Sequence, residues 1–201
     1  MTSDPRITRL PAGLQPGTPP AATPDKAALR RQLLAARRSL DPATRAAWDR
    51  ALGEHVLAWW RDVNRPALGV YWPLRDEPDL HHVFGEMTAL GGQLLLPVVL
   101  ERDAPLAFAE WQPGEAMVKD AMGIAIPAAL RLQPTPPALL VPCLGYNAQG
   151  YRLGYGGGFY DRTLEHAPRP ATIGIAYSCL AADFDSDGHD VALDRIITEA
   201  G

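Results

Sequence analysis

Residues 138–162 read Ala138-Leu139-Leu140-Val141-Pro142-Cys143-Leu144, then Gly145-Tyr146-Asn147-Ala148-Gln149, then Gly150-Tyr151-Arg152-Leu153-Gly154-Tyr155-Gly156-Gly157-Gly158-Phe159-Tyr160-Asp161-Arg162. The first run is apolar and short, which predicts a buried strand over 138–144. A short helix is expected over 159–166. Between them, Gly145 to Gly158 holds six of the chain's 18 glycines. A strand leading through a glycine-rich turn into a helix belongs to an α/β fold with a largely parallel sheet. Such a turn also exposes backbone N–H groups beside the positive end of a helix dipole, an arrangement that favours phosphate. Glycine matters because a Cβ would keep the anion away and because convergent N–H groups need unusual dihedrals.

The flanking sequence supports the same class. Upstream, Ala67 to Trp72, Gln93 to Val99 and Leu106 to Trp111 read as strands, and Leu80 to Leu90 reads as a helix capped by Asp79. Downstream, Thr172 to Tyr177 and Leu193 to Thr198 read as strands. Two helices precede them all. Asp25 is a candidate N-cap for the first, whose Leu29, Leu33, Ala36 and Leu40 share a face, while Lys26, Arg30 and Arg37 form a second stripe. Asp41-Pro42 opens the other, with Trp48, Leu52, Val56 and Trp59 in helical periodicity.

Residues 1–25 include Pro5, Pro11, Pro16, Pro19, Pro20 and Pro24 and few bulky apolar side chains, so they read as a flexible extension. Residues 26–201 then form the single folded unit. An amphipathic organellar presequence fits poorly, since the prolines would break its helix.

The chain has 201 residues, 47% of them hydrophobic and 21% charged, which excludes a disordered or collagen-like protein. Its net charge of −4 is unevenly spread: residues 26–65 are net positive and residues 66–201 net negative. An acidic bulk argues against a nucleic-acid binder. A small anionic ligand needs only a few cations. Cys143 and Cys179 stand apart without a zinc-like pattern, no run of 18 apolar residues occurs, and no secretory signal is visible. A cytoplasmic protein is expected.

Two familiar phosphate loops are excluded. The fingerprint GxGxxG would need glycine where Phe159 stands, and GxxxxGK[ST] needs a lysine, whereas the only lysines are Lys26 and Lys119.

The stretch from Arg152 to Asp161 resembles the signature of the 5-formyltetrahydrofolate cyclo-ligase family, also called methenyltetrahydrofolate synthetases. The resemblance extends over residues 26–201. It includes Lys26-x-x-x-Arg30, Tyr71-Trp72-Pro73-Leu74-Arg75-Asp76-Glu77, and the ending His189-Asp190-Val191-Ala192-Leu193-Asp194-Arg195-Ile196-Ile197-Thr198-Glu199. It implies a three-layer α/β domain of the kind shared with ribose-phosphate isomerase (RpiA), NagB and CoA transferases. It also implies an ATP-dependent, magnesium-requiring monomer that converts 5-formyltetrahydrofolate to 5,10-methenyltetrahydrofolate.

By the same resemblance, Lys26 and Arg30 contact ATP phosphates, and Arg152, Leu153, Gly154, Tyr155, Gly156, Gly157, Gly158, Phe159 and Tyr160 wrap the nucleotide. Lys26 and Arg152 are the candidates for stabilising transition-state charge. Asp161 and Asp190 are the implied Mg²⁺ carboxylates, and Trp72, Glu77 and Tyr160 the folate contacts. Without the resemblance, Lys26 and Arg30 read as a solvated helix face, Asp161 as a first-turn carboxylate, Asp190 as part of an acidic surface run, Trp72 as core and Glu77 as a turn residue.

The chain departs from the family where some members carry Arg or Lys between the glycines. Tyr155 and Gly157 stand there instead, leaving less positive charge in the loop. Ile126 also replaces a Glu that many members have before Pro127. A phosphohydrolase and a nucleotide- or folate-binding regulator without turnover are the competing readings. His55, His81, His82 and His166 read as structural or solvated.

Overall fold

Leu94, Leu95 and Leu96 are all buried, and they divide between two hydrophobic clusters, Leu94 and Leu96 in one and Leu95 in the other. Ala138 and Leu140 alternate in the same way with Leu139 and Val141. Successive side chains of a strand point to opposite faces, so these runs belong to a sheet covered on both sides.

A computed structural model describes residues 25–63 and 67–201. The expected extension lies outside them except for Asp25, which is part of the fold: its carboxylate accepts the Ala27 N–H at 3.0 Å and caps the first helix. The elements in chain order are α1 (Lys26–Arg38), α2 (Pro42–Val63), β1 (Ala67–Gly69), α3 (His81–Ala89), β2 (Gln93–Val98), β3 (Ala107–Trp111), β4 (Met117–Lys119), β5 (Ala125–Pro127), β6 (Leu132–Gln133), β7 (Ala138–Pro142), β8 (Gly145–Tyr146), β9 (Arg152–Leu153), α4 (Phe159–Leu164), β10 (Ala171–Ile175) and β11 (Arg195–Ile197).

Seven strands form the main sheet in the order β11-β10-β7-β1-β2-β3-β6. The five from β11 to β2 pair in parallel, with Leu68 opposite Leu94 and Ile173 opposite Leu140. At the far edge, β3 pairs antiparallel with β2, and β6 with β3. Two short hairpins, β4–β5 and β8–β9, stand outside this sheet. The expected strand over 138–144 ends at Pro142, because Leu144 turns away to bond the Leu153 carbonyl.

Helices α2 and α3 cover one sheet face through Leu52, Val56, Trp60, Phe84 and Met87. The other face is covered more thinly, by Leu164 of α4 with Leu106 and Leu193. Helix α1 lies on neither face: Leu29 and Leu33 pack against Leu144, Leu153, Tyr177 and Leu180 beyond the carboxyl end of the sheet. Each such leucine contributes about 2 kcal/mol of apolar burial, which suffices to fix α1 over that end. From β1 the chain crosses to β2, whereas from β7 it crosses to β10 on the opposite side. The order therefore reverses between β1 and β7, and the crevice outside the carboxyl ends of such strands is where open α/β sheets bind ligands.

Candidate functional site

A cleft of about 910 Å³ opens at that reversal point. Its walls are the segment after β1, the end of β2, the β4–β5 hairpin, the glycine loop with α4, and the first turns of α1. Every site residue named from the sequence lines it, although Lys26, Trp72, Arg152 and Asp190 come from distant parts of the chain.

One half is cationic and glycine-rich. The Arg30 Nε donates to the Gly154 carbonyl at 2.8 Å, tying α1 to the loop. Gly156 and Gly158 have φ of 90° and 64°, and Gly158 is the residue preceding the first turn of α4. A side chain in that left-handed conformation costs about 1–2 kcal/mol, which explains glycine there. Arg162 holds the loop from behind, donating from Nη2 to the Gly157 carbonyl at 2.8 Å. The Arg152 side chain, only 6% exposed, places Nη2 at 2.7 Å from Asp161 Oδ1. The same Asp161 oxygen accepts the Val191 N–H at 3.2 Å, and Arg152 Nη1 reaches the Val191 carbonyl at 3.3 Å.

Lys26 Nζ lies 2.7 Å from Asp187 and 2.8 Å from Asp190. Partial burial lowers its pKa, but hydrogen bonds and charge from these two carboxylates outweigh that effect and leave it above the ordinary lysine value. For Asp190, burial acts upward, yet Lys26 and the Asp187 N–H hold it below the usual carboxylate range. Among the described residues no group of three or more His, Cys, Asp or Glu is placed to hold a metal alone. Mg²⁺ bound with a nucleotide uses one or two carboxylates and takes its other ligands from phosphates and water. Asp161 and Asp190, on one cleft beside the glycine loop, fit that donor set.

The other half is aromatic and apolar. Trp72 stands edge-on to His81 at 4.6 Å and to Trp111 at 6.0 Å between ring centroids. His81 is fixed in turn by Asp79 Oδ1, 2.6 Å from its Nδ1. This histidine therefore positions a cleft aromatic. Leu96, Pro97, Met122 and Ile124 complete the apolar wall. Ile126 does not face the cleft; it is buried against Val98 and Ala109, so its departure from the family pattern is a packing choice that seats the β4–β5 hairpin.

Glu77, 5% exposed, lies between the halves. Its Oε2 accepts the Leu74 N–H at 2.9 Å and its own N–H donates to the Leu74 carbonyl at 2.9 Å, closing a tight turn. Burial pushes its pKa up, and the Leu74 N–H, Arg37, Tyr155 and Arg75 oppose the rise. The two central residues of this turn, Arg75 and Asp76, have φ of 48° and 63°. Positive φ at non-glycine positions costs on the order of 1–3 kcal/mol each and persists only where the surroundings impose it. They do so here: Arg37 Nη2 donates to the Arg75 carbonyl at 2.8 Å, and Asp76 pairs with Arg45 at 2.7 Å.

Arg37, Tyr155 and Leu153 are held in ways the sequence did not show. Arg37 does not join Lys26 and Arg30 at the cleft but is fully buried, because eleven residues advance a helix by about 16 Å and carry the same face from the cleft into the core. Tyr155 turns its hydroxyl away from the cationic half, toward Arg37 and Glu77, and burial followed by the Glu77 charge pushes its pKa up to about 12. Leu153 contributes only its edge to the cleft, its side chain being packed with Leu29 and Leu33. Sequence reasoning also missed Asp187, Arg75 and Arg162. Arg75 lay inside a quoted motif and Asp187 inside a noted acidic run, but neither signal distinguished them from solvated charges.

A family model described as the 5-formyltetrahydrofolate cyclo-ligase family matches residues 22–199. The chain is 31% identical over 191 residues to a 5-formyltetrahydrofolate cyclo-ligase of Mycolicibacterium smegmatis, covering 86% of this chain and 93% of that one. Among solved structures it is similar to a 5,10-methenyltetrahydrofolate synthetase from Mycoplasma pneumoniae, with a TM-score of 0.72, 28% identity and coverage of 87% and 99%. A synthetase of the same name from Aquifex aeolicus also gives a TM-score of 0.72, at 27% identity and coverage of 88% and 90%.

Proposed function

This chain belongs to the 5-formyltetrahydrofolate cyclo-ligase family, and we propose that its cleft joins Mg-ATP and 5-formyltetrahydrofolate in one ATP-dependent ring closure. The observation that carries this reading is the division of one cleft into a cation-lined glycine cradle and an aromatic half, with the buried Glu77 between them.

The chemistry explains the need for both halves. A formamide oxygen is a poor leaving group. Transfer of the γ-phosphoryl from ATP to that oxygen forms the O–P bond, breaks the bond to ADP and makes the oxygen a phosphate ester. The second folate nitrogen then attacks the formyl carbon and loses its proton, and phosphate departs with the C–O bond electrons. The protein's contribution is positioning and charge stabilisation.

Lys26 and Arg30 attract and orient the phosphates, the N–H groups of residues 154–158 surround them, and Arg152 supplies positive charge near the transferring group. Asp161 and Asp190 would hold Mg²⁺, which when bound neutralises phosphate charge. Trp72 packs on the reduced pterin while Glu77 accepts from its N–H groups. The Tyr160 hydroxyl stays protonated, since desolvation and then the Glu77 charge raise its pKa against the opposing Arg152.

The direct test mixes purified protein with Mg-ATP and 5-formyltetrahydrofolate and follows methenyl product by absorbance. Product formation that requires both substrates is expected. ATP consumption at an equal rate without folate would replace this reading with a phosphohydrolase, and tight binding without turnover would replace it with a regulator.

A further inference from the structure

Among the described residues Arg37 is the one fully buried cation, yet it does not line the cleft. Its Nη2 serves two acceptors, the Arg75 carbonyl at 2.8 Å and the Tyr155 hydroxyl. Its Nε and Nη1 are buried with no hydrogen-bond partner in the protein. A guanidinium placed this way is a poor device for stability, since a buried charge without a bonded carboxylate is costly relative to an apolar side chain of similar volume.

The acceptors explain its presence. Arg75 is one of the two left-handed residues in the turn that ends at Glu77, and Tyr155 belongs to the glycine loop. The Arg75 guanidinium also lies over the Tyr155 ring at 4.9 Å from its centroid. One buried side chain thus grips the folate-side turn and the phosphate-side loop together.

We propose that Arg37 is a positioning residue which, through Tyr155 and the Arg75 carbonyl, holds the glycine loop and the Glu77 turn in one fixed spacing, so that the two substrate halves form as a unit. This rests on the cyclo-ligase reading for the identity of the substrates. The spacing matters because phosphoryl transfer spans the halves, and a displacement of about 1 Å costs on the order of a hundredfold in rate. Tyr155 occupies a loop position where some family members carry a cation, and here its hydroxyl receives the Arg37 donor instead.

The experiment is a double-mutant cycle on Arg37→Met and Tyr155→Phe in the full chain, measuring thermal stability, kcat and both KM values. Methionine keeps much of the buried volume, so Arg37→Met is expected to melt at or above the wild-type temperature. Its kcat/KM for the folate is expected to fall about ten- to a hundredfold. Tyr155→Phe should fall similarly, and the double variant should lose little more than either single one, as residues acting through a shared contact do. Additive losses would overturn the proposal, as would a drop in melting temperature with unchanged kinetics in the folded fraction.

A ligand-free readout runs beside it, the carbon-13 titration of the Glu77 carboxyl. The groups facing Glu77 are Arg37 from α1, Arg75 from its own turn, Tyr155 from the glycine loop, Tyr71 after β1, Cys143 after β7 and Tyr160 from α4. Removing Arg37 should raise the titration midpoint, and removing the Tyr155 hydroxyl should raise it by an amount that is not additive with the first. Independent shifts would overturn the coupling. If the wild type forms no methenyl product, the cyclo-ligase reading fails, while this titration still decides the coupling.

Discussion

Arg152 Nη2 lies 2.7 Å from Asp161 Oδ1, so a cation of the cleft wall whose side chain is almost wholly buried is paired with a carboxylate that also has the donor chemistry for Mg²⁺. The proposed function gives Asp161 a ligand-binding role beside this structural one. Asp161→Asn keeps an oxygen for Arg152 and Val191 but removes the charge. It should lower stability by about 1 kcal/mol, the difference between a hydrogen bond to a charged acceptor and one to a neutral acceptor. The KM for Mg-ATP should rise about tenfold or more, a change of at least 1.4 kcal/mol, with the folate KM nearly unchanged. Thermal melts and two-substrate kinetics separate these effects, and equal losses for both substrates would mean that Asp161 only holds the fold.

Lys26 is shared between Asp187 and Asp190, and under the proposed function a phosphate group would compete with the first. The Asp187 side chain is 73% exposed, so Asp187→Asn should change stability by less than about 0.5 kcal/mol. It should leave the KM for ATP equal or lower, because Lys26 is then freer to meet phosphate. Lys26→Met should raise that KM about tenfold. Steady-state kinetics at fixed ionic strength checks both, and a raised KM in Asp187→Asn would place Asp187 among the groups the nucleotide needs.

Two glycines of the loop should respond differently to alanine. A Cβ at Gly158 would lie 2.7 Å from Arg162 Nη1, which a flexible side chain relieves, but φ of 64° remains strained. Gly158→Ala should therefore lose about 1–2 kcal/mol of stability together with ATP use. A Cβ at Gly154 meets nothing within 4 Å and stands at the cleft wall. Gly154→Ala should melt like the wild type while weakening Mg-ATP binding, measured by calorimetry. Unchanged binding would show that the phosphates do not approach Gly154.

Glu77 yields a pH prediction. Its folded pKa is raised, chiefly by burial, so the native state retains a proton that the unfolded chain releases earlier. Stability from this group is then greatest below the ordinary glutamate range and is lost as pH rises through the raised folded value. Glu77→Gln, which keeps an acceptor for Leu74 N–H, should remove that loss. The variant should melt at or above the wild-type temperature at neutral pH, near it at acidic pH, and turn over folate far more slowly. A lower melting temperature at neutral pH would show that the ionised carboxylate stabilises the fold.

Much of this site was legible before any coordinates. Residues 138–162 carry the strand, glycine loop and helix because apolar run length, glycine freedom and helical spacing are local properties. The caps at Asp25 and Asp41 were readable for the same reason, and each carboxylate does accept N–H groups one or two residues into its helix. Asp79 likewise accepts the His81 N–H at the start of α3. The antiparallel pairing of β3 and the short hairpins were not readable, since strand direction depends on what lies beside it.

The sequence by itself determined the fold class, the phosphate-favouring loop and the residues that converge on it, since those depend on side-chain chemistry and near-neighbour spacing. Only the tertiary structure decided how they are paired. Arg37 and Lys26 occupy one helical stripe, yet Lys26 meets Asp187 and Asp190 at the cleft while Arg37 is buried behind Tyr155. Residues 124 to 164 positions apart supply the partners of Arg30 and Lys26. Such contacts follow from packing α1 across the carboxyl end of the sheet. Periodicity states which face of a helix is cationic; the burial of Leu29 and Leu33 beneath it decides which end of that face meets the cleft and which meets the core.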